Sequence, residues 1–358
     1  MYFIVLILNF SYEIVFCDQA SLITTILNEM DDSPMILQET LPYLFNESNV
    51  EEKMKLSWVN DEIFYNIMFD ERNISFEPYF KMDYDPTLGT CFTFNHMDLN
   101  ESIRSMYVME NYGLDIMLNL NSDDMLPWIE FGGFYIIIHN RNELFSKDSI
   151  MYKAVRNYKN FFYVKTSDQK KLAFPYSNCI DKDKYLGNYY FYGDYTQDGC
   201  YRSCYLKYVY EICKCQDPNY LIKKDLGKYC TNDNLDCIIN IKETRGDPSF
   251  WDECDCPIRC ESREYSITYS SAKFPDIMPD CKMFNDPFYS LNTTCRDIFI
   301  DKVWIQVTLM DTSSSVILEN PKYTFTRILA NFGAITGMLI GFSLVTIFEI
   351  FLFGINLR

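Results

Sequence analysis

Residues Ile328 to Phe353 read ILANFGAITGMLIGFSLVTIFEIFLF, and Glu349 is the one charged residue in the run. At about 1.5 Å per residue, a helix over this stretch is roughly 39 Å long, enough to cross a bilayer with some tilt. The reading predicts one spanning helix close to the C-terminus. The residues after it end in Arg358, a basic tail that the positive-inside tendency assigns to the cytoplasmic side. The bulk of the chain then precedes the helix and lies outside the cell.

Within the run, Gly333, Gly337 and Gly341 recur at every fourth position. Small residues at that spacing make a groove where another helix backbone can approach, although a lone anchor with incidental glycines shows the same pattern. Glu349 adds a second clue. A carboxylate inside a membrane span is costly and usually faces a bundle interior or a water-filled path. On a straight helix it lies roughly 80° round from Gly341, so the pattern suggests a pore wall without a strict stripe.

Composition agrees with an extracytoplasmic bulk. The chain has 358 residues, 14 cysteines and a formal net charge of -18. Clustered cysteines fit an oxidising compartment. Asn-x-Ser/Thr sequons stand at Asn9, Asn46, Asn73, Asn100 and Asn292, with Asn9 poorly placed against an apolar run. The acid excess argues against a nucleic-acid partner, because nothing offsets phosphate repulsion. It serves either plain solubility or enrichment of cations near the surface. A second apolar segment, Met1 to Phe16, opens with Tyr2 to Leu8 and is too short to span. Its first residues lack Lys and Arg and no small-x-small site follows, so a truncated membrane helix fits better than a signal peptide.

Between these ends the pattern is α+β. Val108 to Leu120 carries Leu114, Ile116, Leu118 and Leu120 at period two, and Val303 to Leu309 alternates in the same way. Phe131 to His139, with a turn at Gly132-Gly133, Phe161 to Lys165 and Tyr265 to Tyr269 also read as strands. Asp198 is expected to cap a helix through Cys213, with Cys200 and Cys204 on one face. Thr231 or Asn232 is expected to cap a second helix towards Trp251. The cysteines run Cys200-x3-Cys204, Cys213-x-Cys215, Cys230-x6-Cys237 and Cys254-x-Cys256-x3-Cys260. Disulfides bracing a small lobe fit these spacings better than zinc. No HExxH, GxSxG or phosphate loop occurs. His96 and His139 read as structural and Asp123-Asp124 as a solvated turn, so neither an enzyme nor a cofactor is indicated.

Several motifs then fall into a known order. Gly89 to Asn95 (GTCFTFN) resembles the GxCYTFN signature of the degenerin/epithelial sodium channel family, and Gly113 to Asn119 its GLxxxLN strand. Phe131 to Glu143 is similar to AGxxxxIHxxxE, and Leu172 to Cys179 (LAFPYSNC) to LPPPYGxC. The cysteine clusters resemble CxxxC…CxC and CxCPxxC, and Gly341-Phe342-Ser343 resembles the GxS filter. The GFS tripeptide and FLFG ending look most like arthropod pickpocket-type members.

The resemblance implies an α+β membrane protein whose disulfide-stapled ectodomain is built of palm, β-ball, finger, thumb and knuckle. Residues 1–16 would be a remnant of a first membrane helix or its flank, in an N-terminally truncated chain. Residues 17–322 would be extracellular, with the thumb at about 198–256. Residues 323–354 would be the second, pore-lining helix, and 355–358 a cytoplasmic tail. It further implies the bridges Cys179–Cys260, Cys200–Cys256, Cys204–Cys254, Cys213–Cys237 and Cys215–Cys230, with Cys17 to Cys91 and Cys281 to Cys295.

By the same resemblance, Gly341, Phe342 and Ser343 form the selective constriction and Glu349 tunes cations below it. Ala330 takes the degenerin position, where Ala330→Val would raise standing current. Asn331 lies at the outer gate, Gly333 and Gly337 line the path, and Tyr176 is the wrist aromatic, for which ordinary packing is the alternative. Asn46, Asn73, Asn100 and Asn292 would carry glycans. The implied function is a subunit of a homo- or heterotrimeric, amiloride-sensitive channel in the plasma membrane. It would touch lipid, pass Na+ in response to an extracellular stimulus, and use neither a cofactor nor a structural metal. The alternative is a non-conducting, membrane-tethered or dominant-negative subunit.

Overall fold

The computed structural model describes residues 12–18, 42–43, 60–100, 102–103, 105, 112–120, 132–143, 145, 149–181, 187–223, 227–274, 301–311, 315–341 and 343–356. Two sheets share one core. The strands are β1 (Tyr12–Asp18), β2 (Phe64–Phe69), β3 (Arg72–Asn73), β4 (Phe80–Asp85), β5 (Gly89–Phe94), β6 (Leu114–Asn119), β7 (Gly133–Asn140), β8 (Met151–Val155), β9 (Tyr158–Lys170), β10 (Glu261–Lys273), β11 (Lys302–Leu309) and β12 (Ser315–Leu318). The helices are α1 (Asn60–Ile63), α2 (Gln197–Cys213), α3 (Leu235–Arg245), α4 (Phe325–Ile340) and α5 (Leu344–Asn356).

One sheet runs β4-β5-β1-β7-β8; the other runs β10-β9-β11-β6-β2-β3, with β12 added beside β9. The period-two reading explains the centre of the second sheet. Leu114, Ile116 and Leu118 are buried while Asp115, Met117 and Asn119 are only half-buried. Opposite them, Ile305 on β11 faces Ile116 in antiparallel register. Phe92 and Phe94 from the first sheet meet Ile116, Phe162 and Ile305 from the second in a single apolar cluster. That burial drives the sandwich together. Gly113 enters β6 at φ 105°, where an added Cβ would lie 2.3 Å from the Val307 carbonyl oxygen.

The helical lobe is held by cross-links whose spacing is geometric. Four residues of helix rise about 6 Å, and two residues of extended chain rise about 6.6 Å. Cys200 and Cys204 on α2 therefore match Cys256 and Cys254, and the pairs Cys200–Cys256 and Cys204–Cys254 form. Cys213–Cys237, Cys215–Cys230 and Cys179–Cys260 complete the five described bridges, the pairings that the family resemblance implied. Cys91 is also disulfide-bonded, and the backbone of Cys17 stands directly opposite it across β1 and β5. The Cys17 side chain, Cys281 and Cys295 lie outside the described residues.

A buried polar knot sits beside these bridges. Tyr43 and Tyr205 donate their hydroxyls to the two carboxylate oxygens of Asp217, at 3.2 and 2.9 Å. Asn219 donates its backbone and side-chain N–H groups to the same carboxylate at 3.0 and 2.7 Å. Such a carboxylate is tolerated without water because donors surround it. Desolvation, reinforced by Asp217, pushes both phenols far above their ordinary range.

Three expectations are corrected. Thr196, not Asp198, caps α2, since its hydroxyl accepts from the Gly199 N–H at 3.0 Å and Asp198 already lies within the first turn. The second helix follows a 3-10 turn at Asn232–Asn234 and stops at Arg245, short of Trp251. There Gly246, at φ 64°, turns the chain out. The segment at 323–354 is not one helix but two, α4 and α5. Among the described residues, no helix is long and apolar enough to cross a membrane.

Candidate functional site

The break between α4 and α5 is built from named capping groups. Thr324 opens α4, accepting from the Arg327 N–H at 3.3 Å. The helix ends where Gly341 takes the left-handed conformation, φ 66°, with its N–H donating to the Gly337 and Thr336 carbonyls. Glycine adopts that conformation without a Cβ penalty. Ser343 then starts α5. Its hydroxyl accepts from the Thr346 N–H at 3.4 Å, while its own N–H donates to the Thr346 hydroxyl at 3.3 Å. This exchange is a capping box with threonine at the third position. Gly341 is thus a helix stop and Ser343 a helix start. Phe342 lies outside the described residues.

A helix end leaves its last carbonyls without intrahelical donors, and the aligned peptide dipoles make that end negative. The end of α4 therefore offers oxygen and partial negative charge to a cation, with the Ser343 and Thr346 hydroxyls beside it at 3.2 Å from each other. Ala330, Asn331, Gly333 and Gly337 lie exposed on α4, and Glu349 lies exposed on α5. A Cβ added at Gly333 or Gly341 would meet nothing within 4 Å. The described apolar side chains of both helices are also uncovered: Phe332 is 66% exposed and Met338 89% on α4, and Phe351 66% on α5. Helices of a globular surface keep one polar face, whereas these are apolar around most of the circumference. Nothing among the described residues covers them.

The sheet core is tied to this segment through β12. That strand pairs in parallel with the end of β9, Ser315 opposite Ser167 and Leu318 opposite Lys170. Next, the Glu319 N–H donates to the Lys170 carbonyl at 3.0 Å, and the Glu319 carboxylate accepts from the Leu172 N–H at 3.0 Å. Leu172 begins the loop that the Ser177 hydroxyl folds back on itself and that Cys179–Cys260 fastens to the root of β10. Tyr176, the residue singled out in this loop from sequence, is 59% exposed, and among the described residues its ring meets no other ring. Glu319 is the described side chain that bridges to this loop, and no sequence motif marked it. Asn73 and Asn100 are exposed, Asn73 on the short strand β3; Asn46 and Asn292 lie outside the described residues.

The comparisons with known proteins bear on this arrangement. The family model described as amiloride-sensitive sodium channel matches residues 10–353. The chain belongs to this family. Degenerin unc-8 of Caenorhabditis elegans is 26% identical over 335 residues, covering 90% of this chain and 43% of the relative. Degenerin-like protein unc-105 of the same organism is 28% identical over 333 residues, covering 87% and 36%. Degenerin mec-4 of Caenorhabditis briggsae is 26% identical over 319 residues, covering 85% and 40%. The chain thus spans less than half the length of these relatives. Its matched range takes in both sheets, the cross-linked lobe and the Gly341–Ser343 break.

Proposed function

We propose that the chain is a subunit of a trimeric, amiloride-sensitive sodium channel of the plasma membrane, homomeric or shared with related subunits. Its ectodomain faces outwards and responds to an extracellular stimulus. The observation that carries this reading is the capped break at Gly341 and Ser343 within a segment whose apolar side chains stand uncovered on nearly every side. At about 1.5 Å per residue, α4 and α5 reach roughly 24 and 20 Å, so each falls short of a bilayer and the two in series suffice. A break inside a membrane is tolerated where it lines water or is covered by protein. Three copies meeting at the break would present a ring of α4 carbonyl ends and Ser343 hydroxyls. Such oxygens replace part of an ion's hydration shell. Glu349, lower on α5, would raise the cation concentration on the far side.

The test is voltage clamp of cells expressing the chain alone and with full-length relatives, reading sodium current blocked by amiloride. Ser343→Cys is expected to make that current sensitive to a small cationic thiol reagent. A conducting Ser343→Cys channel that ignores the reagent would remove Ser343 from the permeation path. Absence of current in every combination would favour a tethered, non-conducting subunit.

A further inference from the structure

A cavity of about 490 Å3 opens on the helical lobe. Its α2 side is one face of the helix, with Asp198, Tyr201, Arg202 and Tyr205 at positions i, i+3, i+4 and i+7. Tyr205 and Tyr220 supply its aromatic floor, and Lys242, in the last turn of α3, lines it from the second helix. The floor is rigid. The Tyr205 hydroxyl is committed to the buried Asp217 carboxylate, and its ring meets Tyr220 edge-on with centroids 6.1 Å apart. Tyr201 is steadied by the Gln197 amide at 3.3 Å.

The rim is different. Among the described residues, neither the Asp198 carboxylate nor the Lys242 ammonium has an ion pair or a side-chain hydrogen bond, although both border the cavity. Asp247, also on the rim, is already used, accepting from the Ser249 N–H at 2.8 Å. The cavity therefore offers one uncommitted negative group, one uncommitted positive group and a fixed phenolic floor between two helices. Preformed concave sites with an aromatic lining and a few convergent polar groups suit small organic ligands.

We propose that this cavity binds a small zwitterion carrying an apolar side chain, of free amino-acid to dipeptide size. Its ammonium meets Asp198, its carboxylate meets Lys242 with Arg202 beside it, and its side chain lies on Tyr205 and Tyr220. A simple anion would leave Asp198 facing like charge, and a simple cation would leave Lys242 in the same position. A zwitterion matches both, and the ring faces accept its side chain and part of its positive charge. Bound there, it would bridge the start of α2 to the end of α3 across the lobe.

The test uses the full chain in lipid nanodiscs, with binding followed by calorimetry and by saturation-transfer NMR. The probes are phenylalanine, leucine and the dipeptide Leu-Phe, each also as its N-acetyl and C-terminal amide derivative. The free forms should bind saturably at about millimolar affinity or better. N-acetylation or amidation should each weaken binding about tenfold, the effect of losing one charge-assisted contact. Asp198→Asn should weaken the free forms and the amides but leave the N-acetyl forms unchanged. Lys242→Gln should weaken the free and N-acetyl forms but not the amides. Both residues are exposed, and an unchanged melting temperature checks that each variant folds. No saturable binding, or derivatives and variants that all bind within twofold of the parent, would overturn the proposal. Equal binding of free and N-acetyl forms would reduce it to an anion site and overturn the zwitterion. Binding is read without current, so its failure is separable from failure of the channel reading.

Discussion

Phe92 and Phe332 are the same side chain in opposite situations. Phe92 is fully buried between two sheets, whereas Phe332 stands 66% exposed on α4. The contrast extends to their surroundings. The sheets and the helical lobe close on themselves with apolar layers, five described disulfides and a saturated polar knot. The tail helices close nothing, yet their backbone caps are as well made as any in the ectodomain. Local structure in the tail is therefore specified by the chain itself, and its burial is left to surroundings of a different kind. One polypeptide thus holds a self-sufficient fold and a segment whose apolar side chains the described residues leave uncovered.

The largest test of the self-sufficient half is removal of both nested bridges, Cys200→Ser with Cys256→Ser and Cys204→Ser with Cys254→Ser. Together they close separations of 56 and 50 residues, for which chain entropy gives about 4 kcal/mol of stabilisation or more. The lobe should melt earlier by that amount in differential scanning calorimetry, with the sheet core melting later and separately. If the whole ectodomain melts together at the old temperature, the bridges are not what holds the lobe.

Acid sharpens the comparison next. His139 on β7 is half-buried, its ring beside Phe145 and its Nδ1 2.9 Å from the Asn140 carbonyl. Desolvation holds its imidazole neutral, with a pKa down at about 4. The unfolded chain takes up that proton near pH 6.5, before the folded one does. The stability from keeping His139 neutral is therefore complete above pH 6.5 and lost as pH falls towards 4. The full loss is about 3 kcal/mol. Chemical denaturation between pH 7 and 4 should show this slope in the parent chain and lose it in His139→Leu. An identical slope in both would place the acid sensitivity elsewhere.

Two glycines give a direct core-against-tail pair. Gly113→Ala puts a Cβ 2.3 Å from the Val307 carbonyl at an unfavourable φ of 105°, and should cost about 2 kcal/mol or more. Gly333→Ala meets nothing. By propensity it should favour α4 by up to about 1 kcal/mol. Its effect is expected instead on association, because a methyl group fills a surface that another helix needs. Cross-linking of detergent-solubilised chains should show fewer oligomers for Gly333→Ala and an unchanged ectodomain melt. Unaltered oligomers would mean that copies do not pack on that face.

What could be read from sequence follows the same division. β6 and β11 were legible because Leu114, Ile116 and Leu118, and Val303, Ile305 and Val307, keep strict period two on a half-buried surface. The cysteine pairings became legible through the ordered family motifs, and helix-against-strand geometry explains two of them. The helix starts were less legible: Thr196 and Asp198 are both good caps, and only the backbone decides between them. The stop at Gly246 rests on one residue at positive φ, which a single glycine in the sequence does not announce. The tail showed an apolar run so strong that the stop and start chemistry of Gly341 and Ser343 disappeared inside it. The Asp217 knot joins Tyr43 to residues far along the chain, and Glu319 acts through one carboxylate on a backbone N–H, so neither leaves a local pattern.

The smallest expected effect lies where the two halves join. Glu319 accepts from the Leu172 N–H while its own backbone continues the β12 pairing with β9. Glu319→Gln keeps the shape and an acceptor oxygen but removes the charge, weakening an exposed hydrogen bond by about 1 kcal/mol or less. The loop from Leu172 would still be held by Cys179–Cys260 and by the Ser177 hydroxyl, so the ectodomain melt should not move. If strain passes from the lobe to α4 through this contact, the midpoint of the stimulus response should shift up to about fivefold, with maximal current unchanged. Glu319→Ala, which removes the acceptor altogether, should shift it further in the same direction. A midpoint that moves for neither variant would mean that β12 backbone pairing alone carries the connection.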